Sequence, residues 1–426
     1  MTRNLIRDCT IGGQRLPETV RYAMIGGGAG SFMGPVHRAA AGKIQGLELA
    51  AGAFSPSAQS AAECGAELGL PADMVFANYR KLLRKCAALP PAKRISFVSV
   101  LTPNALHYPV AMAALDAGMP VLTEKPFACT PDEAANLVWK QRQTGVPLLT
   151  AMPYRAYSML RTAKGMIDAG ELGELRRFDF SFRTQWMAQR VENRGNRSAL
   201  WRTDVHLNGG GGVVTECTAH LQHAFEWLSG LEISEVAADG FPAVPGRILP
   251  DECNVLARTA SGARGTFSMS RAAIGHREGL AFEISGDKAA LRWRQSDPAT
   301  MRLERADGTS HSLTDATASG VTAHPDAPFG ANAAFIDALS AAYAQFAAEL
   351  STGRKPSPEE RIGLTPEEGL RSVAVSDAVL RSVASSLPPI AAGESSVLST
   401  SREIYARRDD SAAPKWTKVE MPQLRA

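Results

Sequence analysis

The sequence predicts an α/β protein in two parts: a doubly wound parallel sheet, then an α/β domain on a large, open, mostly antiparallel sheet. Three observations carry this. Short apolar runs alternate with helical stretches up to about residue 151, the pattern of strands buried on both faces. Several later stretches, the first at residues 176–185, alternate apolar and polar residues with period two, as strands with one covered face do. A run of glycines separates the first apolar run from the first helix.

In order, residues 1–20 read as an irregular leader with a short hairpin at Gly12 and Gly13. The first strand is expected at 21–25, a helix at 35–43, and a second strand at 47–54. Helices at 57–68 and 79–87 lead to a strand at 95–101. A helix at 107–117, a strand at 120–123, a helix at 131–144 and a strand at 147–151 complete the series. Period-two strands follow at 176–185, 233–238, 253–259, 264–270, 280–285 and 289–293, several joined by turns such as Ser261-Gly262. The segment 187–230 is too long for an idle connection; it is glycine-rich at 209–212 and then helical. Helices are expected at 332–349 and 367–385. The domain reading is therefore a leader (1–20), a nucleotide-binding domain (21–152), a substrate-binding and oligomerisation domain (153–385) and an extended Ser/Pro-rich tail (386–426).

Bulk composition narrows the function. The 426 residues carry 46 basic and 43 acidic side chains, a net charge of +3. Nucleic-acid and membrane partners need concentrated positive charge, so neither is expected. The polar N-terminus does not read as a signal peptide, and no stretch approaches the roughly 20 apolar residues of a membrane span. Six scattered cysteines without a CxxC pair read as free thiols in a reducing compartment, so the expected location is the cytoplasm.

The glycine run is Gly26-Gly27-Gly28-Ala29-Gly30-Ser31-Phe32-Met33-Gly34. Between a first strand and a first helix, such a loop lets backbone approach a pyrophosphate that the helix N-terminus then attracts. This is the arrangement of a Rossmann domain. Gly26, Gly28, Ser31, Phe32 and Met33 are the expected contacts, although residues 29–31 are an insertion relative to GxGxxG. No acidic residue ends the second strand, where Ser55 stands instead, so NAD and NADP both remain open.

At Glu124-Lys125-Pro126 the sequence resembles the glucose–fructose oxidoreductase, inositol dehydrogenase and rhizopine catabolism (Gfo/Idh/MocA) family. Thr102-Pro103-Asn104-Ala105-Leu106-His107 precedes that motif; Pro153-Tyr154-Arg155, Trp201-Arg202, the 209–212 glycines and Glu216-Cys217-Thr218-Ala219-His220 follow it. The resemblance spans about residues 20–385. It implies that Thr102, Pro103, Asn104, His107, Glu124 and Lys125 lie along the cofactor, with Lys125 beside the nicotinamide. It implies His220 as the catalytic histidine and Glu216 where many relatives have Asp. It also implies a homodimer or homotetramer through the C-terminal sheet.

Oxidising a secondary alcohol needs a base titrating near neutral pH, which an imidazole supplies, and a cation beside the oxygen. His220 is assigned as general base, Lys125 as electrostatic partner, and Glu216, one helical turn from His220, as substrate ligand. Tyr154, Arg155, Trp201 and Arg202 are candidates for the pocket wall around a sugar, cyclitol or related polyol. Glu216, His220 and His223 imitate a metal set, but no other ligands accompany them and hydride transfer needs no metal, so none is expected. His37 and Arg38 are read as serving the phosphate-side helix or its packing. Two alternatives stay open: an NAD-retaining enzyme that cleaves or isomerises glycosides, and a non-catalytic nucleotide sensor.

Overall fold

The computed structural model describes residues 15–276, 279–315, 333–385 and 415–424. The expected hairpin at Gly12 and Gly13 lies outside these, as does most of the tail. Among the described residues, no helix is long and apolar enough to cross a membrane.

The first half runs β1 (Arg15–Gly26), α1 (Met33–Gly42), β2 (Gln45–Ala53), α2 (Ala58–Glu67), α3 (Tyr79–Ala87), β3 (Phe97–Leu101), α4 (His107–Asp116), β4 (Val121–Thr123), α5 (Pro131–Thr144) and β5 (Leu148–Thr150). Its five strands are parallel, in the order β2-β1-β3-β4-β5. β3 is buried at every position, as a strand covered on both faces must be. The chain leaves β1 for β2 on one side and returns to β3 on the other. The crevice at the carboxyl ends of β1 and β3 is thus the switch point, where such sheets bind ligands. The first strand is longer than expected: residues 15–20 of the supposed leader already pair with β2.

The second half runs α6 (Ser158–Asp168), β6 (Leu175–Arg183), α7 (Arg197–Thr203), α8 (Val205–Asn208), α9 (Val213–Ser229), β7 (Ile233–Phe241), β8 (Glu252–Thr259), β9 (Arg264–Ser270), β10 (Leu280–Gly286), β11 (Ala289–Arg294), β12 (Thr300–Arg305), β13 (Ser310–Thr314), α10 (Ala333–Thr352), α11 (Pro366–Ala384) and β14 (Thr417–Lys418). The nine strands order as β13-β12-β11-β10-β6-β9-β8-β7-β14. Every pair is antiparallel except β6–β9. Strands β12 and β13 extend the sheet beyond the expected six. Residues 417–418 of the expected tail pair with β7 as an edge strand.

Alternation in β8 and β11 sends every second side chain into a core shared with α6, α9 and α11. Within the 153–385 span, α10 bridges two cores: Ala334, Ala338, Ala341 and Ala342 join this one, while Ile336, Leu339, Tyr343 and Phe346 pack with β1 and α1 on the first sheet.

Candidate active site

The glycine loop is shaped by steric necessity. Gly26 has φ +82°, and a Cβ there would stand 2.5 Å from the Leu101 carbonyl oxygen across the switch point. Gly34 packs onto Gly27 so closely that a Cβ would collide with its carbonyl. Between them, Ser31 N–H donates to the Gly28 carbonyl at 3.0 Å, and Ser31 Oγ accepts from Gly34 N–H at 3.0 Å. Arg38 Nη1 braces the loop from α1, donating to the Gly27 carbonyl at 2.7 Å. The insertion has a partner from the second half: Arg197 Nη1 donates to the Ala29 carbonyl at 3.2 Å, and Ser198 Oγ to the Gly30 carbonyl at 3.2 Å. At the end of β2, Ser57 caps α2 by accepting from Ser60 N–H, and Ser55 Oγ accepts from Ser57 N–H.

A cavity of about 640 Å³ extends from this loop to α9 and the second sheet. Every residue expected to touch the cofactor lines it, from Gly26 and Ser31 through Ser55 and Asn104 to Lys125. A glycine cradle at the carboxyl ends of parallel strands, opening into a cavity of this size, fits a dinucleotide.

Lys125 leaves β4 and reaches α9, where its Nζ donates to the Glu216 carbonyl at 3.1 Å. His220 lies one turn further along α9. Its ring stacks on Phe182 (4.4 Å between centroids, 9° between planes) and meets Tyr154 edge-on at 5.6 Å. Burial, then the charges of Lys125 and Arg271, push its pKa well below the ordinary histidine value. The imidazole is therefore neutral at physiological pH.

Glu216 is 1% exposed and both its oxygens are engaged. Oε2 accepts from Arg202 Nε at 2.9 Å and from Arg271, and Oε1 accepts from Asn208 Nδ2 at 2.9 Å. Burial pushes its carboxyl upward, but Arg271, Arg202 and Lys125 outweigh burial and hold it below the usual carboxylate range. Arg202 also lies over the Trp201 ring at 4.1 Å, and within 6 Å of Trp186 and Phe32.

Glu124 is braced from behind. His37 Nε2 contacts its Oε1 at 2.8 Å, His37 Nδ1 contacts the Tyr343 hydroxyl at 2.8 Å, and Ser99 Oγ meets that hydroxyl at 2.6 Å. Burial raises the Glu124 carboxyl, and the hydrogen bond to His37 leads the effects that lower it below its ordinary value. His37, read from sequence as serving the phosphate-side helix or its packing, thus holds the carboxylate preceding Lys125.

Of the expected wall residues, Tyr154, Trp201 and Arg202 line the cavity. Arg155 does not: it turns to an ion pair with Glu368 on α11 and lies over Trp227. That position stands as a correction: the short helical turn at Pro153–Ala156 rotates each side chain by about 120° from the one before, which carries Arg155 away from the wall that Pro153 and Tyr154 share. Sequence reasoning missed Phe182, Trp186, Arg197 and Arg271, all in the wall. Phe182 and Arg271 sit at or just past the ends of β6 and β9, a position readable only once the strand ends are known.

Comparison with known proteins agrees with this geometry. Residues 20–152 match the family model described as an oxidoreductase family, NAD-binding Rossmann fold. Residues 160–292 match that of the GFO/IDH/MocA C-terminal domain. The uncharacterized oxidoreductase YfiI of Bacillus subtilis is 29% identical, over 69% of this chain and 75% of its own. A levoglucosan dehydrogenase of Pseudarthrobacter phenanthrenivorans is 25% identical, over 64% of this chain and 73% of its own. The inositol dehydrogenase homolog of Azotobacter vinelandii, complexed with NAD+, superposes with a TM-score of 0.77 at 27% identity, covering 87% of this chain and 97% of that one. Its complex with NADH and myo-inositol gives 0.74 at 26% identity, with the same coverage.

Proposed function

The chain belongs to the GFO/IDH/MocA oxidoreductase family, and from that premise we propose that it moves a hydride between a secondary alcohol of a sugar, cyclitol or sugar derivative and a nicotinamide cofactor. The observation that carries the reading is His220: a buried, neutral imidazole facing the same cavity as Lys125 and the glycine loop. Relatives named for levoglucosan and inositol support the substrate class.

In this reading the loop from Gly26 to Gly34 and the start of α1 hold the pyrophosphate, while Thr102, Pro103, Asn104 and His107 lie along the rest of the cofactor. The nicotinamide, when bound, supplies the hydride acceptor. His220 takes the hydroxyl proton, for which a neutral ring is required. Lys125 donates a hydrogen bond to the same oxygen and stabilises the negative charge that develops there. Phe182 and Tyr154 keep water from the imidazole and fix its plane. Glu216 acts through Arg202 and Arg271 instead of meeting a hydroxyl itself. The same reading carries a homodimer or homotetramer joined through the open face of the nine-stranded sheet.

The test is reduction of NAD+ or NADP+ against a panel of sugars, inositols and sugar acids, with His220→Ala and Lys125→Ala run alongside. The His220 variant should lose about 10²–10⁴-fold in kcat. The Lys125 variant should lose about 10²–10³-fold. Activity equal to the parent in both would remove the assignment.

A further inference from the structure

We propose that the substrate side of the cavity is an anion site, and that the substrate is a sugar or cyclitol acid whose carboxylate pairs with Arg271; this deepens, and rests on, the dehydrogenase reading above. Four cations, Lys125, Arg197, Arg202 and Arg271, and three carboxylates, Glu124, Asp204 and Glu216, line the cavity, and of these Arg197 and Asp204 are exposed. Glu124 is taken up by His37 and by the Lys125 backbone N–H. Glu216 alone is shared by two guanidiniums, which leaves one buried positive charge without a counter-ion.

The two arginines are not equally served. Arg202 has the Trp201 face and donates to the Ser198 carbonyl at 2.9 Å. Arg271 is 7% exposed; beyond Glu216 it meets the Cys217 thiol and the Met187 thioether, both weak acceptors. Its Nε–H is buried with no partner. Burying a guanidinium in this condition is costly unless a further acceptor completes it. A planar carboxylate suits the guanidinium fork.

That anion has two possible sources, the substrate or the cofactor's pyrophosphate. Position favours the substrate. The glycine loop is served by Arg197 and Ser198, whereas Arg271 follows β9 of the second sheet, among Glu216, Cys217 and Met187. His220, the proposed base, and Arg271 line the same cavity, so one substrate can present its reacting hydroxyl to the first and its carboxylate to the second.

The experiment measures binding of matched pairs, D-glucuronate against D-glucose and D-galacturonate against D-galactose, to the enzyme–NADH complex by change in NADH fluorescence. Turnover of the same pairs with NAD+ is measured in parallel. The acid is expected to bind at least about tenfold more tightly in one pair. The preference should fall to near unity in Arg271→Gln and be partly restored in Arg271→Lys, which also shows that the site folds. Equal binding within each pair, or binding of neither member, overturns the proposal, as does a preference that survives Arg271→Gln. Weaker NADH binding in Arg271→Gln, with no acid preference in the parent, assigns the anion to the cofactor and also overturns it. Acid binding without turnover of any pair upholds the anion site and removes the dehydrogenase reading.

Discussion

Replacing Glu216 by glutamine should destabilise this protein more than most single changes in it. Glutamine keeps the shape of the side chain and one acceptor oxygen but removes the charge that Arg202 and Arg271 share. The carboxylate is 1% exposed, so solvent screening does not soften the loss. Two charge-assisted hydrogen bonds at about 1.5–3 kcal/mol each set the scale. Leaving a buried charge without its partner costs about 3–5 kcal/mol, which agrees. Two guanidiniums would then face each other beside Lys125. At roughly 1 °C per kcal/mol for a chain of 426 residues, even the lower figure lowers Tm by about 3 °C. Thermal unfolding followed by tryptophan fluorescence measures this directly. Adding Arg271→Met should recover part of the loss, because the orphaned cation leaves with it, giving a coupling of about 1.5 kcal/mol or more. A Tm shift under about 2 °C for Glu216→Gln would refute the claim that this carboxylate holds the two guanidiniums together.

Two further outcomes are expected. Arg197→Ala, which removes an exposed cation resting on Gly30 and Ala29, should weaken NADH binding by about three- to tenfold at low salt and less at high salt, with kcat little changed. An unchanged dissociation constant at low salt would place Arg197 outside the cofactor site. Acid lability should begin at histidine pH: His220 and His223 are held neutral in the folded state well below their ordinary pKa, mainly by burial. The unfolded chain therefore binds more protons below about pH 6.5, and each histidine withdraws up to about 1.4 kcal/mol of stability per pH unit until its own folded pKa is reached. Tm should fall between about pH 6.5 and 5.5, and less steeply in His223→Gln; a flat profile would contradict the burial argument.

The placement that depends on local spacing was readable from the chain alone. The glycine run, Glu124-Lys125-Pro126 and the four-residue spacing of Glu216 and His220 are short-range patterns. The backbone periods of strand and helix convert them into positions at strand ends and on one helix face. The change from buried runs to period-two alternation likewise separated the parallel sheet from the antiparallel one.

Tertiary structure alone decided what each charge meets. Nothing local marks that Glu216 is consumed by Arg271, 55 positions later, or that Arg155 turns from the cavity to Glu368. The same holds for His37 meeting Tyr343, 306 residues away. The parallel β6–β9 pair, the β14 edge and the return of α10 to the first sheet are equally long-range choices. Spacing within one element is set by fixed backbone geometry, so sequence carries it. The partner of a buried charge is set by which distant elements close over it, and that depends on the packing of the whole chain.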